Sequence, residues 1–89
     1  MSSDLLPYNG LKRKTLAIFL NRGWLNVSAF AALVGFYPIR AAHTYLLRLH
    51  RFGLLDRGRD IRGRLRYRMS ARGRRRLLWL EDRGRNHAR

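Results

Sequence analysis

At Gly53 the spacing of apolar residues changes period, and that change limits what this chain can fold into. Ahead of it, Ile39, Ala42, Leu46 and Leu49 recur at intervals of three and four, one face of a helix, with Tyr45 and Phe52 flanking the stripe. Beyond it, Arg64-Leu65-Arg66-Tyr67-Arg68-Met69 alternates, so Leu65, Tyr67 and Met69 share one side of a strand and three arginines the other. Leu54-Leu55-Asp56-Arg57 reads as the partner strand, and Gly58 to Gly63, bracketed by glycines, as the turn between them. The fold class expected is mainly α with a small antiparallel β-hairpin.

The remaining elements follow from their punctuation. Residues 1–8, with weak periodicity and Pro7, read as a lead-in. Asn9 can cap a helix from Gly10 or Leu11, in which Leu11, Thr15, Ile18 and Phe19 share a face and which Gly23 ends. Trp24 to Val27 suits a short strand. Ser28 is a good N-cap for a short helix, Ala29–Val34, broken by Gly35-Phe36-Tyr37-Pro38. The third helix runs from Pro38 or Ile39 to about Phe52, since proline is tolerated at a helix start. Ser70 caps a fourth helix, Ala71 to about Asp82, and residues 83–89 read as a basic flexible tail. One domain, 9–82, accounts for the rest.

Charge narrows the function. The 89 residues include 20 Lys and Arg against 5 Asp and Glu, a formal net charge of +15, while 46% are hydrophobic, enough for a folded domain. An arginine-favouring codon usage explains why Lys12 and Lys14 are the only lysines, but not the shortage of acids. A surface this cationic repels itself and points to a polyanionic partner. Arginine suits phosphate because its planar fork reaches two oxygens at once. There is no cysteine, which excludes disulfides, thiolate nucleophiles and cysteine-based zinc sites. No apolar run approaches the ~20 residues that span a bilayer, and no signal peptide is expected ahead of the first charged run, so a soluble, cytoplasmic protein is expected. Catalysis is not expected. Ser28 and Ser70 read as caps, no carboxylate pair is placed for acid–base work, and no glycine-rich phosphate loop follows a strand.

The order helix, strand, helix, helix, strand, wing, strand, helix resembles the winged helix-turn-helix family over roughly Leu11 to Leu80. Three segments carry the resemblance. Val27-Ser28-Ala29-Phe30-Ala31-Ala32-Leu33-Val34-Gly35-Phe36 looks like the family's second helix and turn, with small Ala31 four before Gly35. Leu49-His50-Arg51-Phe52-Gly53-Leu54-Leu55-Asp56-Arg57 is similar to the helix-to-strand junction of MarR-like and PadR-like transcriptional regulators. Tyr67-Arg68-Met69-Ser70-Ala71-Arg72-Gly73-Arg74 is similar to their strand-to-final-helix junction. Gly35 to Gly53 is about one residue longer than usual, which widens the turn at Phe36-Tyr37-Pro38.

The resemblance implies sequence-preferring double-stranded DNA binding by a small regulator, with no cofactor and no small-molecule ligand. The third helix would enter the major groove, offering Tyr37, Arg40, His43 and Thr44 to base edges. Arg48 and Arg51, with Lys12, Arg13 and Lys14 of the first helix, would meet the DNA backbone, and Arg59, Arg62 and Arg64 of the wing the minor groove or backbone. Other readings stand beside these. Arg64, Arg66 and Arg68 can serve only to solvate one sheet face, and Tyr37 can pack on the turn. His43 and His50 lack the further ligands that a metal needs. In Leu77-Leu78-Trp79-Leu80, Leu78 and Trp79 either edge their own core or form a homodimer seam. An RNA-binding role, or an acidic protein partner, is the alternative function. A membrane surface ranks last, because the cations do not lie along one amphipathic helix.

Overall fold

The computed structural model describes residues 6–87, with side chains described for residues 10–82. Along them run α1 (Leu6–Arg22), β1 (Leu25–Asn26), α2 (Val27–Val34), α3 (Ile39–Arg51), β2 (Leu55–Arg59), β3 (Leu65–Met69) and α4 (Ala71–His87). The fold is mainly helical, and the hairpin is part of a three-stranded antiparallel sheet in the order β1-β3-β2. Leu25 pairs with Tyr67 and Asn26 with Arg66, while β2 pairs with β3 from Leu55 opposite Met69 to Arg59 opposite Leu65. This register puts Leu55, Arg57, Arg59, Leu65, Tyr67 and Met69 on one side of the sheet and Asp56, Gly58, Arg66 and Arg68 on the other. Tyr67 and Leu55 are buried in a core with Leu16 and Phe19 of α1, Phe30 of α2, Leu46 and Leu49 of α3, and Leu77 of α4.

Several boundaries differ from expectation, each for a physical reason. The helix α1 begins at Leu6, so only residues 1–5 of the lead-in lie outside the described residues, and Asn9 sits within the helix instead of capping it. Pro7 falls in the first turn, where its missing N–H costs little. The fully described buried face of α1 is Lys12, Thr15, Leu16 and Phe19, with Leu11 and Ile18 half-buried. Apolar residues surround this helix, so spacing alone did not select its inner side. The helix α2 starts at Val27 and is capped by Asn26, whose Oδ1 accepts the Ala29 N–H at 2.7 Å. Ser28 is exposed inside the helix. Both residue types make good caps, and the extended backbone of Asn26, held by β1 pairing with β3, decides between them.

In α3 the buried stripe is Ala42, Tyr45, Leu46 and Leu49. Ile39 opens the helix and Phe52 follows it, and both are exposed, because the core does not reach past either end. Strand β2 extends through Gly58 to Arg59, so the turn is shorter than expected. Ser70 caps α4 as expected. Its Oγ accepts the Gly73 N–H at 2.9 Å and donates to the Gly53 carbonyl at 2.6 Å, tying the exit of α3 to the start of α4. The expected flexible tail at 83–89 is helical through His87, and residues 88–89 lie outside the described residues. Gly84 alone did not stop the helix, since one interior glycine costs only about 1 kcal/mol relative to alanine. Among the described residues no helix is long and apolar enough to cross a membrane.

Candidate nucleic-acid interface

The way α2 and α3 meet sets what α3 can present. Ala31 and Ala42 are both fully buried, and their methyl side chains allow the two helices a close approach. Gly35 ends α2 in the left-handed region, with its N–H turned back to the Ala31 carbonyl, and the Phe36 N–H bonds the same oxygen at 2.9 Å. Pro38, extended, opens α3. Under this turn a row of rings runs from α1 to α3: Phe19 to Phe30 at 5.7 Å between centroids, Phe30 to Phe36 at 6.1 Å and Phe36 to Tyr45 at 5.5 Å. The aromatic row braces the first half of α3 from behind. Its spacing crosses three elements, so no local sequence pattern announces it.

With Ala42, Tyr45, Leu46 and Leu49 turned inward, Arg40, Thr44, Arg48 and Arg51 are exposed along the opposite flank. Arg40, Thr44 and Arg48 line an open groove of about 460 Å³ together with Phe36, Pro38 and Tyr45. Among the described residues neither Arg40, Arg48 nor Arg51 has an ion-pair partner. Tyr37, ahead of the helix, is 61% exposed and so does not pack away against the turn. Thr44 donates its hydroxyl to the Arg40 carbonyl at 3.1 Å, which leaves its oxygen lone pairs outward as acceptors. His43 is half-buried at the margin of the flank. His50 is a structural residue: its Nδ1 lies 2.9 Å from the Leu55 carbonyl and its ring stands edge-on to Tyr67.

The hairpin supplies a second cationic surface. Asp60 accepts the backbone N–H groups of Arg62 and Arg64 on Oδ1, at 2.8 and 2.9 Å. Its Oδ2 meets Arg64 Nε at 3.2 Å. The Asp60 and Gly63 backbones close the turn, and Arg59 Nη1 donates to the Gly63 carbonyl at 2.8 Å. Arg59 and Arg64 therefore shape the tip as well as charging it. Arg62 has no hydrogen-bond or ion-pair partner for its guanidinium among the described residues.

Two features corrected or extended the expected set. Lys12 is only 8% exposed and cannot lie on an outer cationic surface, whereas Arg13 and Lys14 are exposed. Lys12 shares the inward face of α1 with Thr15, Leu16 and Phe19, at i, i+3, i+4 and i+7, which accounts for the difference. Trp24, anticipated only as strand, covers the outer side of the sheet: the Arg66 and Arg68 guanidiniums lie 4.6 and 4.8 Å from its ring. A Cβ at Gly58 would come within 3.0 Å of the indole, so the glycine inside β2 marks this approach. Arg68 also meets Asp56 at 3.5 Å. Arg66 and Arg68 thus clamp the hairpin to Trp24. On α4, Leu78 and Trp79 are 61% and 51% exposed, with Arg76 set 5.5 Å from the Trp79 ring.

The N–H of Arg64 does most to hold the Asp60 carboxyl below its ordinary value of 3.8; desolvation opposes it, and the Arg62 N–H and the Arg64 side chain add to the lowering. A depressed acid contributes its hold in full above that ordinary value and loses it as pH falls through the lower folded value. Acid titration is therefore expected to loosen the hairpin tip while the helical core stays folded. In NMR, the amide resonances of Arg62 and Arg64 should move together through that acid transition. A tip whose amides ignore the transition would show that the carboxylate does not hold it.

No protein-family model matches the chain, and no curated protein matches it. Among solved structures, the crystal structure of RV1404 from Mycobacterium tuberculosis is similar over 86% of this chain, with a TM-score of 0.74 and 26% sequence identity. The chain spans about half of that protein, 53% of its length.

Proposed function

We propose that the chain is a winged helix-turn-helix domain that binds double-stranded DNA and serves transcriptional regulation. The helix α3 enters the major groove, and the β2–β3 hairpin is the wing. One observation carries the reading: the flank of α3 opposite the core is a continuous exposed surface of Arg40, Thr44, Arg48 and Arg51, with no carboxylate among the described residues paired to its arginines. A helix that protrudes with such a flank fits a groove ~12 Å wide. Tyr37 and Arg40, at its leading end, meet base edges, with Thr44 and His43 beside them. Arg48 and Arg51 meet phosphates, as do Arg13 and Lys14 on α1. The unpaired Arg62 and the turn-shaping Arg59 extend the contact to the adjacent backbone.

Arg40 and the wing arginines divide the work, which gives the test. Arg40→Ala is expected to lower the preference for a selected site over random duplex by ~10-fold or more, the worth of one bidentate guanine contact. Arg59→Ala with Arg62→Ala should weaken both duplexes alike and reduce the salt slope by about two. Equal losses on both duplexes from both variants would reject this division. Stronger competition by structured RNA than by duplex would move the reading to RNA.

A further inference from the structure

The apex of the hairpin carries an aliphatic side chain with no contacts. Ile61 is 101% exposed, as open as in an extended peptide. Turn positions are ordinarily held by Gly, Pro, Asn, Asp or Ser, whose backbone preferences or side-chain hydrogen bonds stabilise the bend. Here those tasks belong to Asp60 and to Gly63, which takes φ +81°. Ile61 therefore adds nothing to the turn, and in water its β-branched side chain only exposes apolar surface.

Its surroundings are specific. The turn is closed on both sides, by Asp60 N–H to the Arg64 carbonyl and Gly63 N–H to the Asp60 carbonyl, each at 2.9 Å. The exposed residues Arg59, Arg62 and Arg64 stand around the apex. At the base, Trp24, held under Gly58 by Arg66 and Arg68, braces the hairpin from behind. The result is a braced finger with an apolar tip ringed by cations. A single exposed isoleucine is ordinary on a protein surface. An isoleucine at the apex of a turn fixed by six hydrogen bonds, among guanidiniums, is placed for an occupant that is anionic outside and apolar within.

We propose that Ile61 is a wedge that enters the minor groove of duplex DNA and leans on a base step, while Arg59 and Arg62 hold the flanking phosphates. This rests on the DNA-binding reading and deepens it: the wing reads how easily a step deforms, and not only the charge of the backbone. Apolar side chains inserted at a step part the stacked bases and bend the duplex toward the major groove. Pyrimidine–purine steps such as TA yield most readily, whereas A-tracts are stiff. The closed turn means that little tip freedom is lost on insertion, so the apolar contact is not consumed by ordering.

The test uses the full chain and end-labelled duplexes of roughly 20–30 base pairs, one carrying a TA step where the wing lies and one an A-tract there. Affinity and end-to-end energy transfer are read across a salt series. For the wild-type chain, the TA duplex should bind more tightly and shorten. Ile61→Ser is expected to weaken binding to the TA duplex by ~10-fold, the worth of burying one such side chain, and to abolish the shortening. It should leave the salt slope unchanged, because no cation is removed. Ile61→Leu should restore both, and Arg62→Ala should lower the slope without removing the preference for TA. All of these positions are exposed, so the variants keep the core. Full affinity and full bending with Ile61→Ser would overturn the wedge while leaving DNA binding intact. No binding of the wild-type chain to either duplex would overturn both.

Discussion

Gly73→Ala is expected to destabilise the domain by about 3 kcal/mol, although alanine is the better helix former. Gly73 lies in the first turn of α4 and is buried where that helix meets the end of the turn after α3. An added Cβ would overlap the Leu54 carbonyl oxygen and come within 2.8 Å of Met69 Sδ. The sulfur can swing away, but the carbonyl cannot. It accepts the Ser70 N–H at 3.2 Å, and Ser70 in turn caps Gly73 and bonds the Gly53 carbonyl. Relief requires α4 to retreat from β2, which breaks this knot and opens the packing of Leu77 and Leu80. The helix-propensity gain of ~1 kcal/mol does not offset that. Domains of this size hold roughly 0.05–0.15 kcal/mol per residue, so the loss is a large share of the total. The melting temperature followed by circular dichroism should fall by roughly 15 °C. Gly10→Ala is the matched control: it too lies in a helix, with nothing within 4 Å of the added methyl. It is expected to melt at or slightly above wild type. A Gly73→Ala chain as stable as wild type would mean that α4 does not seat on the Leu54 carbonyl.

Raising the salt from about 50 to about 200 mM is expected to weaken duplex binding by ~10³-fold. Six exposed cations are assigned to phosphates in the proposed reading: Arg13 and Lys14 on α1, Arg48 and Arg51 on α3, Arg59 and Arg62 on the hairpin. Neutralising about six phosphates gives a slope of about −5 in log affinity against log salt. Arg64, Arg66 and Arg68 contribute less to that slope, because Asp60 and Asp56 partly balance Arg64 and Arg68, and Arg66 and Arg68 lie on Trp24. Lys12 contributes nothing while buried. A slope near −10 would bring the arginines of α4 into the contact, and an affinity flat in salt would remove phosphate as the partner. The wing and α3 variants then apportion the slope between the two elements.

Much of the candidate surface was legible before the structure. The outward positions of Arg40, Thr44, Arg48 and Arg51 follow from an α3 stripe confined to one side. The strand β3 alternates so strictly that its pairing face was readable as well. Ser70 was legible as a cap, because it stands immediately between an alternating segment and a helical one. Where two good caps adjoin, as at Asn26 and Ser28, local chemistry was indifferent and the β1–β3 pairing chose. Lys12 was misplaced because α1 has apolar residues on all sides, so its inner face depends on where its neighbours stand. Trp24 gave only a faint sign, a glycine inside the opposing strand, and the significance of Ile61 depends on a turn that no spacing rule describes.

The order of the elements, the chemistry of their boundaries and the surplus of cations belonged to the sequence by itself, because hydrogen-bond periodicity, caps and charge are local or additive properties. Only the tertiary structure decided which side of α1 is buried, which arginines are engaged by Asp56, Asp60 and Trp24, and which stand open on α3 and the wing. The physical reason is range: pairing a guanidinium with a ring or a carboxylate takes a few ångströms between residues far apart in the chain. Those distances are set when the helices and the sheet pack together, and no segment carries them alone.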